Sequence, residues 1–251
     1  MAKQITTKRP TTTKKIISKP VAAILTPAIS PIRSFRYQSI AIILIGFIIY
    51  FNSFNNKYAL DDDIVMRLNE YVQQGFAGIG KIMTTDSYDS FFKSMGSEGE
   101  LQGGRYRPLS IVTFAIEQQL FGKCYGIRYS EVGDSLRAMQ KGIIPGNGLI
   151  MNRLIAEKTD LEEKISETHL DIAMIRHIVS VLLYILSAVV LLWLLREYIF
   201  KYAEVKFINP NDIAFFTTLL FLIHPIHTEV VANVKSRDEI LSFLFIVTTF
   251  I

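Results

Sequence analysis

Half of the 251 residues are hydrophobic and seventeen are phenylalanine, with a net charge of only +4, a balance too apolar for an ordinary soluble domain of this length and typical of a membrane protein. A single cysteine, Cys124, excludes an internal disulfide and a zinc–thiolate site within the chain. The basic excess sits largely at the head of the chain, where it speaks of membrane topology and gives no argument for a nucleic-acid partner.

Residues 1–36 carry Lys3, Lys8, Arg9, Lys14, Lys15, Lys19, Arg33 and Arg36 among Thr, Pro and Ser, with no acidic residue. Such a composition cannot bury enough apolar surface to fold alone and predicts a disordered, cytoplasmic basic arm. A transit peptide shares this chemistry but would show more helical periodicity. From Tyr37 to Asn56 no charge occurs, so the first membrane span is expected there. With the arm inside, residues 57–177 fall outside.

That outer loop is too long for a plain connection. Val65, Leu68, Val72, Phe76 and Ile79 recur at helical spacing and predict an amphipathic helix on the membrane surface. PLSIVTFAIEQQLFG predicts a second, with Pro108 in its first turn and Gly122 at its end. The polar segment 124–168 reads as an insert, with a loop at IIPGNG and a charged helix over Asn152–Glu167. Further spans are expected over 178–195, 213–228 and, begun but unfinished, 240–251. The last run, LSFLFIVTTFI, has about half the length needed to cross, so the sequence reads as the amino-terminal part of a longer protein. The expected fold is all-α and polytopic: three complete spans, the start of a fourth, and a large outer loop with amphipathic surface helices over the transmembrane region 37–251.

Two clusters carry chemistry. Asp61, Asp62 and Asp63 follow the first span. Neighbouring carboxylates raise one another's pKa, which suits a base, and an ionised pair suits a divalent cation, the one cofactor this chain invites. A solvated acidic helix start explains the triplet more simply. The turn HPIHTEVVANVKSRDE brings His224, His227, Glu229, Lys235 and Arg237 to the end of an apolar run, where ionisable groups are costly unless they face a polar site or the water boundary. Pro225 interrupts the helix a zinc-binding HExxH pair requires, so the histidines are expected to shape the turn and not to bind metal. Lys235 and Arg237 could bind a phosphate or merely anchor the interface. The same choice applies to Arg105 and Arg107, which bracket Tyr106; a guanidinium fork suits phosphate.

LDDDIVMRLN, GGRYRPLS and HPIHTEVVANVKSRDEIL, in that order, resemble segments of the transmembrane and tetratricopeptide-repeat O-mannosyltransferases and their bacterial relatives. The resemblance runs from about Tyr58 to Ile251, interrupted by the insert, and any repeats would lie beyond Ile251. It implies a multi-pass glycosyltransferase moving a sugar, mannose by family, from a polyprenyl- or dolichyl-phosphate donor to a protein Ser/Thr hydroxyl on the non-cytoplasmic face. Asp62, shared by both registers of the family's paired-aspartate pattern, would be the base, with Asp61 or Asp63 beside it. Arg105, Arg107, Lys235 and Arg237 would hold the lipid phosphate, and Asn69, His224, His227 and Glu229 would shape the site. The partners implied are the lipid-linked sugar, an acceptor protein and the bilayer. A bacterial inner membrane is expected, or the endoplasmic reticulum in a eukaryote, and this stretch alone is expected to be inactive. Two other readings stay open: transfer of a lipid-linked sugar to a glycan or lipid, and a non-catalytic membrane scaffold or transport component.

Overall fold

A computed structural model describes residues 33–59, 61–94, 106–201 and 209–251. Among these the secondary structure is entirely helical. The order is α1 (Phe35–Tyr50), α2 (Asp62–Val65), α3 (Glu70–Gln73), α4 (Ile79–Ile82), α5 (Asp89–Ser94) and α6 (Pro108–Phe121). It continues with α7 (Gly126–Gln140), α8 (Gly148–Asp171), α9 (Ala173–Leu194), α10 (Pro210–Ile223), α11 (His227–Ala232) and α12 (Arg237–Thr249). The basic arm expected over 1–36 lies, up to residue 32, outside the described residues.

α9 is the axis of the bundle, and α1, α10, α11 and α12 pack around it. Ile42, Val181, Ala188, Leu192, Ala214 and Leu222 are sealed in the shared core. A Cβ on Gly46 would lie 2.7 Å from the Ile185 side chain, so the missing side chain lets α1 approach α9 closely, the usual device where lipid supplies no hydrophobic drive between helices. The outward faces are also apolar: Ile40, Leu44, Ile48, Leu186, Phe216 and Leu220 are exposed. An apolar outer band over an apolar core suits hydrocarbon and would be a liability in water.

Two helical segments are long and apolar enough to cross a bilayer, Phe35–Asn55 and Ala173–Ile199. Over the expected third complete span, 213–228, stands the 14-residue apolar α10, shorter than those two and capped by Asn209, which accepts the Asn211 N–H. Pro225 stops it, forcing His224 to an extended ψ of 126°. α12 has 13 residues.

Polar residues gather at both ends of the bundle. At one, Arg196 donates to Gln38 Oε1 at 2.7 Å and Arg33 pairs with Asp212 at 3.1 Å, joining the start of α1, the end of α9 and the start of α10. The aspartate triplet and the histidine turn share the other.

The continuous amphipathic helix expected over 65–82 is replaced by three short elements that fold back on α6: α3, a single 3-10 turn (Gly75–Gly78) and α4. Asn69 breaks the run by capping α3, its Oδ1 accepting from Tyr71 and Val72. Gly75 then turns the chain at φ +61°, and Gly78 passes so close to Tyr71 that a Cβ would lie 1.9 Å from its carbonyl oxygen. Val65, Val72, Ile111, Phe114 and Ala115 form a small core of their own, whereas Leu68 and Phe76 stay exposed. α6 has its expected limits, with Pro108 at its start and Gly122 as its cap.

The insert is a helical hairpin. α7, not foreseen in the polar sequence, packs on α8 through Val132, Leu136 and Leu161. Gly126 seats it on α3, since a Cβ there would lie 2.3 Å from the Gln73 carbonyl carbon. α8 exceeds its expected limits and leads through Ile172 into α9.

Candidate functional site

The loop after α1 and the turn between α11 and α12 are stitched together by Asp62. One oxygen accepts the Ala59 N–H at 3.0 Å and the other the Lys235 N–H at 2.8 Å. The side chain is 1% exposed. Burial pushes its carboxyl up, opposed by those two backbone donors and by the Lys235 charge.

Asp61, one residue earlier, points the other way and is half exposed. Its Oδ2 receives the Lys235 ammonium at 2.6 Å and the Tyr88 hydroxyl at 3.1 Å. The hydrogen bond from Lys235 holds this carboxyl below the usual carboxylate range. Asp63 turns to Arg67 at 3.4 Å. The triplet therefore splays, Asp61 to the Lys235 ammonium, Asp62 to backbone N–H groups and Asp63 to Arg67. Among the described residues, no three His, Cys, Asp or Glu side chains gather around a metal-sized site.

Lys235 borders a cavity of about 150 Å³ with Val65, Ser87, Tyr88, Arg107, Ser110 and Ile111. Arg107 and Ser110 also line a larger groove of about 450 Å³ between the start of α6 and the outer face of α12, walled by Tyr106, Leu109, Asp238, Glu239, Leu241, Ser242 and Phe245. Arg107 is ion-paired there with Asp238, whose other oxygen is buried without a hydrogen-bond partner. One end of this groove thus carries Arg107 with the carboxylates Asp238 and Glu239 and adjoins the cavity that Lys235 borders, and the other is apolar, with Leu109 and Phe245 about half exposed.

Arg237 does not join Lys235 at this surface. It is completely buried, donating to Glu117 at 2.7 Å, Thr113 at 2.8 Å, Ser180 at 3.2 Å and the Arg176 carbonyl at 2.8 Å. Its guanidinium lies 4.4 Å from the centre of the Phe114 ring. Arg176, equally buried, reaches Glu117 at 3.6 Å, the Tyr58 hydroxyl at 2.9 Å and Gln118 at 3.0 Å. Burial pushes the Glu117 carboxyl up and the two arginines pull it down; since neither arginine can give up its proton, Glu117 is best counted as ionised. With Asp62 close enough to act on Tyr58, this buried cluster sets the carboxylates Glu117 and Asp62 against Arg176 and Arg237, since buried charges need partners.

The remaining expected site residues fall in three places. Asn69 caps α3 and donates to the Ser87 carbonyl at 3.3 Å, steadying the residue before Tyr88. The His227 ring packs on Phe221, with ring centres 4.5 Å apart, and His224 Nδ1 accepts the Ile226 N–H at 3.2 Å. These histidines and the exposed Glu229 shape the turn at the same end of the bundle but line neither cavity. Arg105 lies outside the described residues. Tyr88, Glu117, Arg176 and Ser180 were not legible in the sequence: each meets its partner from 27 to 120 positions away, beyond any local spacing.

Fold and site together define a class of helical protein with two helices long and apolar enough to cross a membrane and, at one end of its bundle, a cavity bordered by cations ion-paired with carboxylates. Over 75 residues, 30% of this chain, the sequence is 35% identical to Protein O-mannosyl-transferase TMTC1 of Homo sapiens and, to the same extent, to that of Mus musculus. The matched stretch is 8% and 7% of those proteins, so under a tenth of either is covered. No protein-family model matches the chain, and no solved structure does. This distant, partial similarity points to a glycosyltransferase-like function.

Proposed function

We propose that the chain forms the reaction-centre end of a multi-pass membrane glycosyltransferase. It would move a sugar, mannose by resemblance, from a polyprenyl- or dolichyl-phosphate donor to a protein Ser/Thr hydroxyl. The observation that carries this reading is the half-exposed Asp61 held by Lys235, with Arg107 next along a groove whose far end is apolar. A lipid phosphate needs that sequence of surfaces: cations for the headgroup, then apolar side chains for the chain.

In the reaction, the acceptor hydroxyl attacks the sugar's anomeric carbon, the bond from that carbon to the phosphate oxygen breaks, and the hydroxyl proton passes to Asp61. A phosphodiester anion becomes a phosphomonoester dianion while one carboxylate becomes neutral, so the net charge of the site is unchanged. Lys235 and Arg107 face the oxygen on which charge develops, and one such well-placed donor is worth about 3 kcal/mol. Asp62, with both oxygens committed to backbone N–H groups, positions this pair; the role of base passes to Asp61, and Arg237 supports the turn from within. The similarity to TMTC1 proteins supports the mannosyl and protein-hydroxyl parts of the reading.

The test is transfer of labelled mannose from a polyprenyl-phosphate donor to protein in membranes carrying the protein extended to its natural end, since this stretch alone is expected to be inactive. Incorporation that vanishes in Asp61→Asn, with unchanged membrane insertion and thermal stability, is the expected result. Correctly inserted protein that transfers no sugar from a panel of lipid-linked donors would favour a scaffold and overturn the reading.

A further inference from the structure

Both cations that face the cavities are already occupied by carboxylates of the chain. Lys235 Nζ lies 2.6 Å from Asp61, and Arg107 is paired with Asp238. The first pair is backed by Tyr88, whose hydroxyl donates to the same Asp61 oxygen and whose ring centre is 5.7 Å from the ammonium. The second is closed over an Asp238 oxygen that is buried and has no hydrogen-bond partner. Among the described residues, an anion arriving at the shared wall of the two cavities, formed by Arg107 and Ser110, meets no uncommitted positive charge and must take one from a carboxylate.

We propose that the anion site is self-capped, and that binding of a phosphate headgroup exchanges partners: the phosphate takes Lys235 and Arg107, and Asp61 is released as the base. This rests on the donor reading above and adds an order of events to it. The donor comes first and arms the carboxylate; the acceptor hydroxyl then meets a base that the empty site keeps neutralised by Lys235. Without a donor, Asp61 and Lys235 satisfy each other.

The geometry allows the exchange without moving the backbone. Asp62 fixes the Lys235 N–H, not its ammonium, so the turn stays stitched to α2 while the long, flexible lysine side chain swings. Lys235 and Asp61 are 29% and 50% exposed, so neither charge becomes stranded in the interior when the pair opens. The buried Arg237–Glu117 pair could not serve in this way, because removing one partner would leave the other without compensation.

The experiment is binding of farnesyl phosphate to the chain in phosphatidylcholine nanodiscs, with thermal unfolding run on each variant. Self-capping predicts that Asp61→Asn tightens binding about two- to five-fold, the range expected from freeing one exposed ion pair, and that Asp238→Asn acts in the same direction. Lys235→Met weakens binding. Asp63→Asn removes an equal charge from the neighbouring Arg67 pair and should leave the affinity close to wild type. Binding by the wild type that Asp61→Asn leaves unchanged or weakens would overturn the cap and keep the donor site, as would an equal gain in Asp63→Asn, which would mark a general field effect. Wild-type binding no stronger than that of an Arg107→Met/Lys235→Met double variant would remove the donor site itself, and the cap with it.

Discussion

Asp62 accepts the backbone N–H of Lys235 at 2.8 Å, joining residues 173 positions apart in the chain. This bond, together with Val234 buried in the same small core as Val65, holds the Lys235 turn against the start of α2. Its neighbour Asp61 reaches the same lysine from the other side through the ammonium. Adjacent aspartates therefore do separate work on one residue, one holding its backbone and one its charge.

Asp62→Asn should destabilise the protein by about 2–3 kcal/mol. The amide keeps one acceptor oxygen for two N–H donors and turns its NH₂ towards the other, leaving a buried donor unpaired. Asp61→Asn should change stability by less than about 1 kcal/mol, because its pair is half exposed and screened by water. Thermal unfolding in detergent separates the two, and equal losses would contradict the division of roles.

Arg237→Met should cost about 3–5 kcal/mol, since it removes the hydrogen-bonded partner of the buried Glu117 carboxylate and leaves it only Arg176 at 3.6 Å. Arg237→Lys should recover only part of this loss, because one ammonium cannot reach Ser180, Thr113, Glu117 and the Arg176 carbonyl as the guanidinium does. The Glu117→Gln/Arg237→Met double variant should lose less than the sum of its single changes. Additive losses in that cycle would mean that the pair is not coupled.

Gly78→Ala should cost about 2–3 kcal/mol, because the new methyl would sit 1.9 Å from the Tyr71 carbonyl oxygen, and backbone must move to admit it. Gly80→Ala is the control: nothing lies within 4 Å of its Cβ position, and within α4 alanine should gain about 0.5–1 kcal/mol from helix propensity. Matching effects at the two positions would show that α3 and α4 do not fold back as described.

The acid limb of transfer should depend on which parameter is followed. Lys235 lowers the Asp61 pKa in the empty protein, from an unperturbed 3.8. A depressed carboxylate adds stability that is present above the unfolded pKa and lost as pH falls through the folded one, here a small term because the group is half exposed. Catalytically, kcat/KM for donor, which reports the free enzyme, should fall only below the usual carboxylate range. If phosphate draws Lys235 away, kcat should begin to fall at a higher pH than kcat/KM. Coincident limbs would indicate that Asp61 and Lys235 stay paired when the donor is bound.

The sequence by itself determined the helical class, the apolar segments of α1 and α9 and the limits of α6. All of these follow from local hydropathy, charge and the stop signals of proline and glycine, which act within a few residues of where they stand. What only the tertiary structure decided is which member of each charged group faces the groove. Asp61 and Asp62 are adjacent and chemically identical, as Lys235 and Arg237 are alike in charge, and no spacing separates them. They are separated by partners brought from elsewhere: the Lys235 backbone for Asp62, Tyr88 for Asp61, and Thr113, Glu117 and Ser180 for Arg237. The folding back of 65–82 was hidden for the same reason. The apolar period there fits a surface helix, and only contact with α6, made where Gly75 and Gly78 permit a turn, outweighs that preference.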